Sequence, residues 1–252
     1  MSGKHLAIQA SAQHIRFVTL LNEQVLRSDE LSIRSDERLA REDLDTFFRE
    51  HTYLAEHDNE VSLSWSSQRS TLIPNAIFSD TTPEDIFRLC YGNNFASDDV
   101  DYNRISEHGI IHVYEIPVWV KRYFVVKFPR IVHQHEGTHL LRKIMQSAFK
   151  LKATLVLHSD YFLLSLVRHN ELEFYGSFRA LSHEDILYHL MFTLQQKERM
   201  HETGSIELVE GHDADKTLLP ALENALLRVG NLKAMSILKA PNFVAQSQLL
   251  CV

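Results

Sequence analysis

The order strand, strand, strand, helix is written twice in this chain, which constrains it to a duplicated α/β architecture of two related lobes. The first copy opens with three β-rich runs, residues 6–11, 14–21 and 24–33, separated by short polar turns. An amphipathic helix over residues 39–55 follows: Leu44, Phe47, Phe48, His51 and Leu54 recur at helical spacing beneath the acidic Glu42 and Asp43. The second copy repeats this with residues 153–158, 161–167 and 171–178. Its helix is capped by Ser182, carries Glu184 and Asp185 in the first turn, and buries Ile186, Leu187, Leu190, Met191 and Leu194. Residue 159 less 11, 170 less 22 and 171 less 23 each give 148, pairing Ser with Ser, Asn with Asn and Glu with Glu.

Each meander and helix is followed by alternating strand and helix signals, the pattern of a mostly parallel continuation with crossover helices. In the first half these are residues 110–116, a helix opened by Pro117, and a short strand over 131–135. In the second they are residues 205–209, a helix between Asp213 and Val229, and residues 234–238. Pro220 forfeits a backbone bond, so this last helix is expected to start late or to kink. Residues 138–149, with Leu141, Ile144, Met145, Ala148 and Phe149 on one face, are predicted to be the connecting helix. The first lobe then spans 1–137 and the second 138–252. The first is longer because a hairpin over 61–78 and a helix opened by Thr82-Pro83-Glu84-Asp85 form an insertion around 57–108. Residues 92–109, rich in Asn, Asp and Ser, read as an exposed loop.

With 44% hydrophobic and 23% charged residues the chain has the composition of a soluble globular protein. The longest apolar stretch, 151–167, is broken by Lys152, His158 and Asp160, short of the ~20 residues a membrane span needs, so no integral membrane segment is expected. Residues 1–5 run into a strand pattern with no apolar signal core, and Cys90 and Cys251 form no disulfide framework or thiolate metal site. A cytoplasmic location is the expectation. The net charge of −7 comes with no basic run longer than Lys121-Arg122, which excludes a phosphate-neutralising surface and, with it, a nucleic-acid partner. Cys90 and Phe192 fall at helical spacing and are expected to pack inside.

Several segments are familiar as text: Val61-Ser-Leu-Ser-Trp-Ser-Ser67, Thr71-Leu-Ile-Pro-Asn-Ala-Ile-Phe78, Val113-Tyr-Glu-Ile-Pro117, Gly176-Ser-Phe178, and Ser182 through Leu194. Over nearly the whole chain they resemble an uncharacterised bacterial domain-of-unknown-function family with the actin-like ATPase fold, a duplicated ribonuclease-H-like architecture. The resemblance implies that fold and no activity. Related pilus-assembly and secretion-platform proteins with actin-like cytoplasmic domains imply that such folds can act as protein-binding scaffolds.

Actin-like ATPases bind ATP between their lobes, and Gly-rich turns after the first strand of each half present backbone N–H groups to the phosphates. The corresponding turns here, Ala10-Ser11-Ala12-Gln13 and His158-Ser159-Asp160-Tyr161, contain no glycine. The closest glycines in the chain are Gly204 and Gly211, so neither G-x-G nor G-x-x-x-x-G-K occurs. Ser11, Gln13, Ser159, Asp160 and Gly211 remain as candidates for an inter-lobe cleft, but no cofactor is expected. The leading expectation is therefore a catalytically inactive actin-like module that serves protein partners. A degenerate nucleotide or small-ligand sensor is the milder alternative.

A metallopeptidase is the enzyme alternative. His135-Glu136-Gly137-Thr138-His139 matches H-E-x-x-H, in which two imidazoles on a helix hold Zn²⁺ and the glutamate activates its water. Glu171 would supply a third ligand. Against it, the duplicated layout puts His135 at the end of a strand, which breaks the one-turn spacing of the two rings.

Overall fold

β1 (Lys4–Ala10) and β2 (His14–Leu21) form an antiparallel hairpin, and β3 (Gln24–Ser32) adds to β2 at the edge. These coordinates are a computed structural model that describes residues 4–55, 60–79, 81–146 and 150–251. α1 (Glu37–Glu50) starts where Asp36 accepts a hydrogen bond from the Leu39 amide, two residues earlier than the apolar spacing suggests. β4 (Glu60–Trp65) then joins β1 in parallel, Leu6 opposite Val61, and β8 (Val132–His135) joins β4 in parallel, giving the order β3-β2-β1-β4-β8. Leu6, Ile8, Phe17 and Leu63 point to one face of this sheet. There they bury Leu44 and Phe47 of α1 and Val120 and Phe124 of α3 (Val118–Lys127).

The hairpin read from 61–78 is therefore not a hairpin. β4 is a central strand of the main sheet, and β5 (Ser70–Pro74) belongs to a separate three-stranded sheet, β5-β7-β6. Its other members are β6 (Val100–Ile105) and β7 (Ile110–Glu115), so the expected 92–109 loop contains a strand and residues 110–116 lie in the insertion. β6 escapes sequence reading because it is an edge strand whose Asp101, Asn103 and Arg104 suit solvent as well as a pleat. α2 (Thr82–Tyr91) covers this sheet with Phe87 against Ile73, Ile111 and Val113, and leaves Cys90 exposed rather than in the core.

The second unit repeats the first. β9 (Leu151–Leu157), β10 (Tyr161–Arg168) and β11 (Glu171–Arg179) form the meander, and α5 (His183–Gln196) starts in a capping box between Ser182 and Asp185. β12 (Gly204–Glu210) and β13 (Met235–Lys239) add in parallel, in the order β11-β10-β9-β12-β13. α6 (Leu218–Arg228) does start late: Pro220 lies in its first turn, where the missing N–H has no helical partner to lose. Leu155, Leu164, Ile186, Leu190, Ile206 and Leu222 fill the core between sheet and helices.

Backbone bonds date the repeat to a common plan. The Ser11 amide donates to the His14 carbonyl and the His158 amide to that of Tyr161; Ile33 donates to Gln13 and Ala180 to Asp160. A bulge interrupts the meander after Thr19 and again after Leu166. Residue 161 less 14, 180 less 33 and 166 less 19 all give 147, so the structural register differs by one from the 148 read off the turn residues. The counterpart of Asn22 (φ 56°) is His169 (φ 52°), not Asn170. Asparagine marks a left-handed turn position by chemistry, not by descent.

By backbone contacts, residues 1–140 together with 244–252 form one unit and residues 141–243 the other. The boundary falls within α4 (Glu136–Met145), the helix predicted to connect the lobes; residues 147–149 of that prediction lie outside the described residues. α7 (Phe243–Ser247) brings the chain back to the first unit, where Ala245 packs on Ala7, Val18 and Leu20. A buried chain of hydrogen bonds ties it down: His5 Nε2 meets Ser62 Oγ at 2.8 Å, and that hydroxyl donates to Gln248 Oε1 at 2.6 Å.

Candidate functional site

In open α/β sheets the carboxyl ends of parallel strands are where a ligand meets the chain. In the first unit these ends are the Ala10–Gln13 turn, Ser66 and Ser67 after β4, and His135 and Glu136 after β8. Ser66 donates its amide to the Ala10 carbonyl and its hydroxyl to the fully buried Glu136 carboxylate at 2.6 Å. His135 Nδ1 accepts from the Gly137 amide at 3.0 Å, which leaves Nε2 to donate to the Ser67 carbonyl at 3.1 Å. The inserted sheet braces this cluster from β6 and β7. Asn103 Oδ1 accepts from the His135 amide and the Thr138 hydroxyl, and His112 Nδ1 lies 2.9 Å from that hydroxyl. Burial, with the neighbouring His135, drives the pKa of His112 well below its ordinary value, so this histidine is neutral.

The second unit closes its strand ends differently. His158 follows β9, its ring stacked on Tyr161 at 4.3 Å, and its Nδ1 meets Asp213 Oδ1 at 2.5 Å. Both side chains are buried. Burial pushes the Asp213 pKa up, yet the bond to His158 and that ring's charge outweigh it and hold the carboxyl at about 2. The ring fits because Gly211, after β12, has no side chain: a Cβ there would lie 2.4 Å from the Leu157 carbonyl and 2.8 Å from His158 Nδ1.

A family model described as a protein of unknown function, DUF3822, matches residues 1–224. The chain belongs to the DUF3822 family. Among solved structures, a Bacteroides thetaiotaomicron protein described as having an actin-like ATPase fold and unknown function superposes on this DUF3822 chain with a TM-score of 0.76 at 18% identity, covering 100% of this chain and 97% of that one. The PilM–PilN type IV pilus biogenesis complex matches with a TM-score of 0.53 at 11% identity over 94% of this chain and 91% of that one. The cytoplasmic domain of EpsL, an inner-membrane component of the Vibrio cholerae type II secretion system, also reaches 0.53 at 11%, covering 98% and 95%. No curated protein matches the chain. These likenesses establish an actin-like ATPase fold for the DUF3822 chain, and no described helix is long and apolar enough to cross a membrane.

The residues singled out in the DUF3822 sequence fall as follows. Ser11 and Gln13 sit in the first hairpin turn, where the Ser11 amide closes the turn on His14 and the Gln13 carbonyl accepts from Ile33. Ser159 and Asp160 occupy the matching turn of the second unit, both exposed; Gly211 is buried beside His158. His135 ends β8 while Glu136 and His139 lie in the first turn of α4, so the two imidazoles do not share a helix. Glu171 opens β11 at an exposed hairpin corner. The His158–Asp213 pair was not legible in sequence, since neither residue belongs to a local motif. The one available signal was Gly211, in a chain with few glycines, directly before His212-Asp213.

Proposed function

We propose that this chain is a catalytically inactive actin-like protein that serves as a protein-interaction module. The observation that carries the inactive half is the state of the two turns where the fold's ATPases cradle phosphate. In each, the first N–H closes the turn on itself, Ser11 to His14 and His158 to Tyr161. The strand ends beside them carry the carboxylates of Glu136 and Asp213, already held by Ser66 and His158. A polyphosphate seeks unengaged donors and positive charge, and these ends offer anions. Incubation with Mg²⁺ and ATP is expected to release no phosphate above a buffer blank; steady turnover that scales with protein concentration would refute the reading.

The interaction half is supported by an internal control, because one helix plan is used twice. α1 and α5 are both 14 residues long, and residue 183 less 37 places them 146 apart. α1 wears ion pairs outward, Arg38 to Glu42 at 3.2 Å and Arg41 to Glu37 at 2.9 Å. Where α1 has Glu42 and Thr46, α5 carries Tyr188 and Phe192, stacked on each other and exposed by 63% and 47%. Phe192 is thus not the packing residue its spacing suggested. Leu181, exposed by 76%, precedes the helix cap and adds another exposed apolar side chain, and Tyr188 with Phe192 suits a protein partner with an apolar surface of its own. The PilM–PilN type IV pilus biogenesis complex, whose fold this chain shares, is itself an assembly of proteins, which supports this use of the fold. The double substitution Tyr188→Glu with Phe192→Glu is expected to keep the melting temperature and to lose partners that the wild-type chain retains from native lysate. Identical partner sets would contradict the assignment.

A further inference from the structure

We propose that His158 and His212 of the second unit, with Asp213 behind them, form a binding site for a divalent transition-metal ion of the Zn²⁺, Co²⁺ or Ni²⁺ class. The proposal needs neither the one-turn His135–His139 spacing of the H-E-x-x-H match nor nucleotide binding. The ring nitrogens of the site are brought together by topology. His158 follows β9, His212 follows the parallel neighbour β12, and the Gly211 amide bonds to the Leu157 carbonyl at 2.8 Å, so both rings emerge from adjacent strand ends. The rings stand nearly perpendicular with centroids 6.0 Å apart, and they offer nitrogens within 4.8 Å of each other. Two nitrogens on one tetrahedral ion lie about 3.3 Å apart at metal–nitrogen distances near 2.0–2.1 Å, a gap that a small rotation of the His212 ring closes.

Three features indicate an organised site rather than two adjacent histidines. Asp213 Oδ1 lies 2.5 Å from His158 Nδ1, and a carboxylate oxygen there accepts, so the contact places the proton of His158 on Nδ1. Nε2 is then the nitrogen that ligates, made more basic by the carboxylate behind it, the arrangement that orients metal-bound histidines generally. Stacking on Tyr161 at an interplanar angle of 10° locks the ring plane. Gly211 leaves the space without which the ring would be displaced. Imidazole nitrogens select borderline transition ions over Mg²⁺ and Ca²⁺, which prefer all-oxygen shells.

The test uses the full-length, tag-free chain, titrated with Zn²⁺ by calorimetry and with Co²⁺ by visible absorption. One ion per chain is expected, with a Co²⁺ ligand-field band. His212→Ala should abolish both, and Asp213→Asn should weaken binding roughly 10–100-fold. His158 is buried, so His158→Ala can fail to fold; His212 is less buried, and an unchanged metal-free melt of His212→Ala shows that the fold survives. Zinc uptake that is undiminished in His212→Ala overturns the proposal. So does a stoichiometric site that His139→Ala removes and His212→Ala leaves intact.

Discussion

Gly211→Ala is expected to destabilise the chain by about 3 kcal/mol, lowering the melting temperature by roughly 6–12 °C. The new methyl would sit 2.4 Å from the Leu157 carbonyl oxygen, a backbone atom, and 2.8 Å from the His158 ring. Neither neighbour can yield. Leu157 is paired to β10 on one side and to β12 on the other, and the His158 ring is held between Tyr161 and Asp213. Relief requires β12 to part from β9, breaking the bond from the Gly211 amide, and overpacking of this kind typically costs ~1–3 kcal/mol before any lost pairing. Gly230→Ala is the control, since a Cβ there meets nothing within 4 Å. Urea denaturation of both variants decides the matter: a Gly211→Ala midpoint equal to that of Gly230→Ala would show that the strand ends are loosely packed.

Acid should unfold the chain well above the carboxylate range. His5 is buried and neutral, and desolvation lowers its pKa from 6.5 to about 4; burial, with the neighbouring His135, lowers that of His112 well below its ordinary value. Below pH 6.5 the unfolded chain takes up protons at these positions and the folded chain does not, so folding stability is greatest above pH 6.5 and falls as the pH drops toward 4. At pH 5 the shift of His5 alone costs about 2 kcal/mol, a sizeable share of a typical domain's stability, and His112 acts in the same direction. Asp213 acts in the opposite sense and lower down. Its depressed pKa contributes stability above pH 3.8 that is lost only as the pH falls through about 2, outside this window. The measurement is the urea midpoint between pH 7.5 and 5, with His5→Gln expected to flatten the slope. A midpoint flat over that range would mean the two histidines are hydrated.

The meander-and-helix repeat was legible because its strands and turns are local, and hydrophobic alternation with helical spacing reports on local structure. Ser182 as a cap and Pro220 as a late start or a kink both follow from a few neighbouring residues. What escaped reading is nonlocal. Val61 pairs with Leu6 across 55 residues, so β4 looked like half of a hairpin until β1 was seen beside it. α7 packs on Ala7 and Val18 from the far end of the chain, and small apolar residues such as Ala245 carry no directional signal. The one-residue error in the repeat is local in origin: Asn170 resembles Asn22 in chemistry, while the turn closures and the bulges that recur in both copies set the register. At the candidate site, H-E-x-x-H stood out because its residues are contiguous, yet β8 ends between its first two letters. His158 and Asp213, 55 residues apart, meet only because β9 and β12 are parallel neighbours.

Calorimetric titration of the chain with ATP in excess Mg²⁺ tests the central claim most directly. Turns whose first N–H is already engaged, flanked by carboxylates, should give only heats of dilution into the millimolar range of nucleotide. A saturable isotherm with one nucleotide per chain would contradict the account, and would mean that the two hairpin turns rearrange to receive phosphate.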